Sequence, residues 1–168
     1  GRRLKAEPEQ FTYSQRMAIA ILAGHRKQYD RAAEFFESAL RARPNESTEV
    51  LLTWGVGLLH DDRPAEAVEV LRRGIGPNVS PESETEFQFY LAGALALCDR
   101  TDEALVAARK AVSLRGDSAR IYSRIPWILG YAQRRDEAIR EYAALVAKFD
   151  ADQQSSETRE VLRAARMA

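Results

Sequence analysis

Few residues in this chain have chemistry beyond folding. His25 and the run His60-Asp61-Asp62 offer imidazole and carboxylate, donor types that hold divalent metals. Cys98 is a lone thiol, so no internal disulfide can form. Asp102-Glu103 and Asp136-Glu137 are paired acids, and Ser155-Ser156 offers hydroxyls. None of them stands in a spacing that completes a site: no zinc-protease, phosphate-loop or paired-cysteine motif occurs. His25 and His60 occupy the same phase of successive turns, and neighbouring helices stack about 10 Å apart, too far for two imidazoles to share an ion easily. Asp62 is expected to cap a helix, and the acidic pairs open helices, where the dipole favours negative charge. Cys98 reads as a packed thiol and Ser155-Ser156 as helix-start chemistry. The expectation is a chain that is not an enzyme and uses no metal or cofactor.

The elements that carry these residues are helices. From Phe11, apolar residues recur at helical spacing through Met17, Ile19, Ala20, Leu22 and Ala23, up to a break at Gly24–Gln28. Residues 1–9 are polar and expected to be loosely packed. A second helix is predicted over Tyr29–Ala42, stopped before Pro44. Asn45 or Ser47 is the predicted cap of the third, which precedes the turn Asp61–Pro64. A fourth ends near Gly74–Gly76. Ser80, Pro81, Glu82 and Glu84 form a strong helix start. That helix and its successor, hinged at Asp99-Arg100-Thr101, run to about Leu114. Asp117 or Ser118 caps the next pair, which hinges at Gln133-Arg134-Arg135. A last helix, about 157–167, carries Val161, Leu162 and Ala165 on one side. No segment alternates as a strand does, so the chain is predicted to be all-α.

The helices repeat. Aligned on Ala32, Ala67, Ala104 and Ala138, the intervals are 35, 37 and 34 residues. Twelve residues earlier stand Ala20, Gly55, Ala92 and Pro126, and seven later Ala39, Gly74, Ala111 and Leu145. Small residues let paired helices approach closely, while large neighbours such as Ile19, Trp54, Leu91 and Ile125 fill the grooves. One hairpin cannot bury its apolar face alone; stacked hairpins can. Pro126, in mid-helix, is expected to kink the fourth copy. The three extra residues between copies two and three are placed in the Gly76–Pro81 loop.

This pattern resembles the tetratricopeptide repeat, over about Ser14–Asp150. The resemblance implies an α-solenoid, a right-handed superhelix of four hairpins over 13–46, 47–80, 84–117 and 118–151 with a C-terminal capping helix, in a single domain. It also implies a concave groove lined by the first helix of each hairpin. The groove candidates are Met17 and Ile21, Leu52 and Val56, Phe89, and Arg120, Trp127 and Tyr131. Their apolar character suits an amphipathic helix or an extended segment of a partner protein. The Lys, Asn and Arg side chains with which some relatives clamp a C-terminal carboxylate, as chaperone tails are held, are missing from the corresponding places, which hold Met17, Ile21, Val56 and Phe89, so binding of chaperone tails is not expected. Arg120 and Arg124 would meet an acidic partner.

Whole-chain properties agree with a binding scaffold. Basic and acidic residues number 25 each, with no charged tail, which argues against non-specific nucleic-acid or membrane-surface binding. No apolar run is long enough to span a bilayer. Of the basic residues, 21 are Arg, a bias of GC-rich bacterial genomes. The chain opens on Gly and is read as a segment of a longer protein. It assigns no compartment, cytoplasmic or periplasmic. The expected function is a protein–protein interaction scaffold. The alternatives are a regulatory or substrate-docking domain of a larger enzyme, and self-association through the last helix or the groove.

Overall fold

Four turns set the architecture, and they are built alike. In a computed structural model describing residues 7–149 and 156–167, Lys27, Asp62, Asp99 and Gln133 adopt left-handed backbone, with φ of 58°, 57°, 58° and 61°. Each stands five residues before its anchor alanine. The N–H of the following residue reaches back across the turn: Gln28 to the Ala23 carbonyl at 2.9 Å, Arg63 to Leu58 at 2.9 Å, Arg100 to Leu95 at 3.0 Å and Arg134 to Leu129 at 2.8 Å. These bonds satisfy carbonyls that a helix end leaves free. The carbonyls of Gln28, Arg63, Arg100 and Arg134 then accept from the N–H of Ala32, Ala67, Ala104 and Ala138, opening the second helix of each pair.

The helices joined by these turns are α1 (Tyr13–His25) with α2 (Tyr29–Ala42), α3 (Ser47–His60) with α4 (Pro64–Arg72), and α5 (Pro81–Leu97) with α6 (Thr101–Leu114). The fourth pair is α7 (Ala119–Tyr122) and α8 (Arg124–Tyr131) against α9 (Arg135–Phe149), and α10 (Ser156–Met167) follows. The described residues include no strand. All twelve of the aligned anchor positions are buried, from Ala20, Ala32 and Ala39 through Pro126, Ala138 and Leu145.

The chain forms two compact units, residues 1–74 and 75–168. In the first, Met17, Ala20, Phe35, Phe36 and Val50 form the core of α1, α2 and the start of α3. In the second, Leu162 and Ala165 of α10 pack with Ala119, Leu145 and Phe149, so the last helix covers apolar surface of α7 and α9. The division falls where α4 stops at Arg72, earlier than the sequence suggests, because Gly74, Gly76 and Pro77 follow.

Four local expectations need correction. The N-terminal residues from Glu7 are anchored rather than loose: Pro8–Gln10 is a 3-10 turn with Pro8 buried. Arg16 holds it, donating to the carbonyls of Phe11 at 2.8 Å, Ser38 at 3.0 Å and Glu9 at 3.2 Å. Neither Asn45 nor Ser47 caps α3, because Pro44–Glu46 forms a 3-10 turn leading directly into it. Asp62 does not cap α4; it is the left-handed residue of the turn. The longer spacing between copies two and three is not confined to the loop: the connection 73–80 is longer than 43–46 or 115–118, and α5 also starts earlier relative to its hairpin, its first turn fixed by the Ser80 hydroxyl, which accepts from the Ser83 N–H at 3.2 Å, and by Pro81.

Two expectations hold. Ser118 caps α7, accepting from the Ile121 N–H. Pro126 breaks the first helix of the fourth pair, which divides at Ser123 into α7 and α8. Lacking an N–H, Pro126 leaves the Tyr122 carbonyl without its helical donor. The segment Asp150–Ser155 lies outside the described residues.

Candidate binding sites

The first unit has an open apolar recess of about 200 Å³ between α1, α2 and α3. Ala20, Ile21, Gly24 and His25 line it from α1, Ala32 and Phe36 from α2, and Trp54, Gly57 and His60 from α3. Trp54 stacks on Phe36 with centroids 5.3 Å apart and planes 14° from parallel. The Arg73 guanidinium lies 5.7 Å from the Trp54 centroid and is held by two hydrogen bonds to Glu37 of 2.6 and 3.0 Å. The Glu37 carboxyl is kept below its ordinary range by those bonds from Arg73. Gly24 and Gly57 leave the recess open: a Cβ on either would meet nothing within 4 Å.

Of the groove candidates in this unit, Ile21 lies in the recess and is 40% exposed. Met17 is buried in the core, and Leu52 and Val56 are half-buried elsewhere on α3. His25 and His60 both line the recess as the last residues of α1 and α3. Among the described residues no group of three or more His, Cys, Asp or Glu is arranged to hold a metal ion. Trp54, Phe36 and Gly57 were not among the groove candidates. The signal available in the sequence was Trp54 beside Gly55 and Gly57, a large ring next to positions without side chains.

The second unit gathers the other four candidates. Phe89, on α5, is buried beneath two guanidiniums: Arg120 of α7 at 4.3 Å from its centroid and Arg124 of α8 at 3.9 Å. Tyr90 meets Phe89 edge to face at 5.3 Å. Trp127 stacks on Tyr131 at 5.7 Å, and Tyr131 is 46% exposed. Arg120 donates to Glu86 at 2.5 Å. Arg124 also lies 5.0 Å from the Trp127 centroid, and Gly93 makes room for it: a Cβ there would sit 3.4 Å from Nη1. Burial, with the like charge of Arg120, pushes the pKa of the Arg124 guanidinium down to about 10. Cys98, which ends α5, has its thiol pushed up by burial, the opposite of an activated nucleophile.

Comparison with solved structures follows the same architecture. The chain is similar to a crystal structure of MamA at 19% identity, covering 89% of this chain and 93% of that one, with a TM-score of 0.61. A second MamA crystal structure gives 20% identity, coverage of 92% and 86%, and a TM-score of 0.63. A point mutant of MamA gives 20% identity, coverage of 93% and 82%, and a TM-score of 0.60. The chain has an all-α helical-repeat fold. No protein-family profile and no curated protein matches this helical-repeat chain. Among the described residues, no helix of the repeat is long and apolar enough to cross a membrane.

Proposed function

We propose that this helical-repeat chain is of the tetratricopeptide type, with four hairpins, and that it is a scaffold binding a segment of a partner protein. The observation that carries this reading is the recess of the first unit. It is apolar, open, walled by the stacked Phe36 and Trp54, and bordered by exposed Ile21. A side chain from an amphipathic helix or extended segment would bury apolar surface there, at about 25 cal/mol per Å² removed from water. The turn geometry supports the tetratricopeptide assignment, because the same bonds recur at the same distance from each anchor alanine.

Gly57 makes the test clean. A leucine there would extend into the recess without meeting a neighbour within 4 Å of its Cβ. It would also remove a helix-interior glycine, worth about 0.5–1 kcal/mol in stability. Affinity capture from native lysate with wild type and Gly57→Leu compares an open and a filled recess on equally folded proteins. Proteins retained by wild type and lost with Gly57→Leu identify the partner. The same proteins on both would mean that the recess is not the binding site.

A further inference from the structure

Arg124 is a largely buried cation without an anion. Its Nε is buried and has no hydrogen-bond partner, and among the described residues neither a hydrogen bond nor an ion pair satisfies the guanidinium. Arg120 beside it is engaged by Glu86. A charge removed from water is costly unless it is paired. The faces of Phe89 and Trp127 compensate in part by cation–π attraction, but they accept none of its five N–H groups.

The guanidinium does not sit in a closed core. It lines an open cavity of about 230 Å³ with Phe89, Trp127, Tyr142 and Val161, so α5, α8, α9 and α10 all contribute apolar wall. The arrangement is a positive, hydrogen-bond-donating centre within an aromatic and aliphatic surround. Its complement is a carboxylate that has apolar groups beside it. A carboxylate matches the guanidinium fork in charge and geometry, and such a bond strengthens where water is excluded. Apolar lining from four helices suits an acidic side chain within a peptide, flanked by apolar residues.

We propose that Arg124 is the anchor of a carboxylate-binding subsite that takes an acidic side chain of a partner protein. The proposal rests on the reading of the chain as a protein-binding scaffold, but it concerns a cavity in the second unit rather than the recess of the first.

Capped peptides test it: Leu-Glu-Leu against Leu-Gln-Leu, with uncapped Leu-Leu as a C-terminal carboxylate. The readouts are the Arg124 Nε–H resonance and Trp127 fluorescence in a Trp54→Phe background. The Glu peptide is expected to shift the Arg124 resonance and to bind at least about ten-fold more tightly than the Gln peptide. Arg124→Met should abolish that preference, and Arg124→Lys should reduce it. Equal binding of Glu and Gln peptides by the wild type overturns the proposal without relying on any Arg124 variant. Binding of uncapped Leu-Leu alone overturns the side-chain assignment. Because these probes read only the second cavity, their failure is separate from an unchanged capture by Gly57→Leu.

Discussion

Leu71 occupies the place where a side chain on Gly55 would begin. Its Cδ2 lies 2.5 Å and its Cγ 2.6 Å from the position of a Cβ on Gly55, and Leu71 itself is wholly buried. The pair shows why a small residue stands twelve positions before three of the four anchor alanines: it sets the distance between the helices of a hairpin. Gly55→Ala is therefore expected to destabilise the protein by about 1–3 kcal/mol through overpacking, despite alanine's better helix propensity. Urea unfolding measures the loss. Leu71→Ala in the same chain should relieve the clash, so the double variant should be more stable than the sum of the two single losses. Strict additivity would mean that the two residues do not meet.

The four left-handed residues give a prediction of opposite sign. Lys27 and Gln133 carry side chains in a backbone region that costs an L-residue about 1–2 kcal/mol. Glycine removes that strain but loses more chain entropy on folding. Lys27→Gly and Gln133→Gly should each be neutral to stabilising, by up to about 1 kcal/mol. Gln133→Val should destabilise. Thermal melts of the three variants would show whether the order is Gly, wild type, Val.

Glu37 and Arg73 predict a pH dependence. Hydrogen bonding from Arg73 lowers the Glu37 pKa from 4.5, so the folded state releases this proton more readily than the unfolded chain. The stabilisation is complete above the unfolded pKa and is lost as pH falls through the lower, folded one. Both side chains are partly exposed, so solvent screening limits the effect to about 1 kcal/mol or less. Wild type should exceed Glu37→Gln in urea midpoint at neutral pH. The two should converge in acid. A gap that widens in acid would contradict the pairing.

Cys98 should be a slow thiol. Burial raises its pKa above the ordinary value of 9.0, so little thiolate is present at neutral pH. Alkylation should run slower than that of free cysteine and accelerate as pH rises. Reaction at or above the free-cysteine rate under native conditions would remove the case for a packed thiol.

The helices and their pairing were legible because burial leaves periodic traces. Ala32, Ala67, Ala104 and Ala138 must be small wherever two helices touch, and all four are buried. Ser80 and Ser118 announced their caps by type and position. The turns were harder to read, because Lys27, Asp62, Asp99 and Gln133 are not glycines and only their dihedrals reveal the left-handed step. A signal was present one residue later: Arg63, Arg100 and Arg134 each pair with a glutamate three positions on, Glu66, Glu103 and Glu137. At the sites, the tetratricopeptide resemblance implied Phe89, Arg120, Trp127 and Tyr131; Arg120 lies over Phe89, and Trp127 stacks on Tyr131. The resemblance could not show that Arg124 lacks a carboxylate, since an unpaired charge is a property of all its surroundings. The openness above Gly57 was hidden for the same reason.

The sameness of the turns bears on how such a gene can change. Each hairpin hands over to its second helix through the same backbone bonds, at a fixed distance from a buried alanine. Recombination between two copies at this junction would join a first helix from one to a second helix from another without altering the geometry of the splice. Whole hairpins can therefore be duplicated, lost or exchanged as modules, while small residues at the contact positions keep each new pairing tolerable. The four turns are then sites where inheritance can lengthen or shorten the protein in steps of one hairpin.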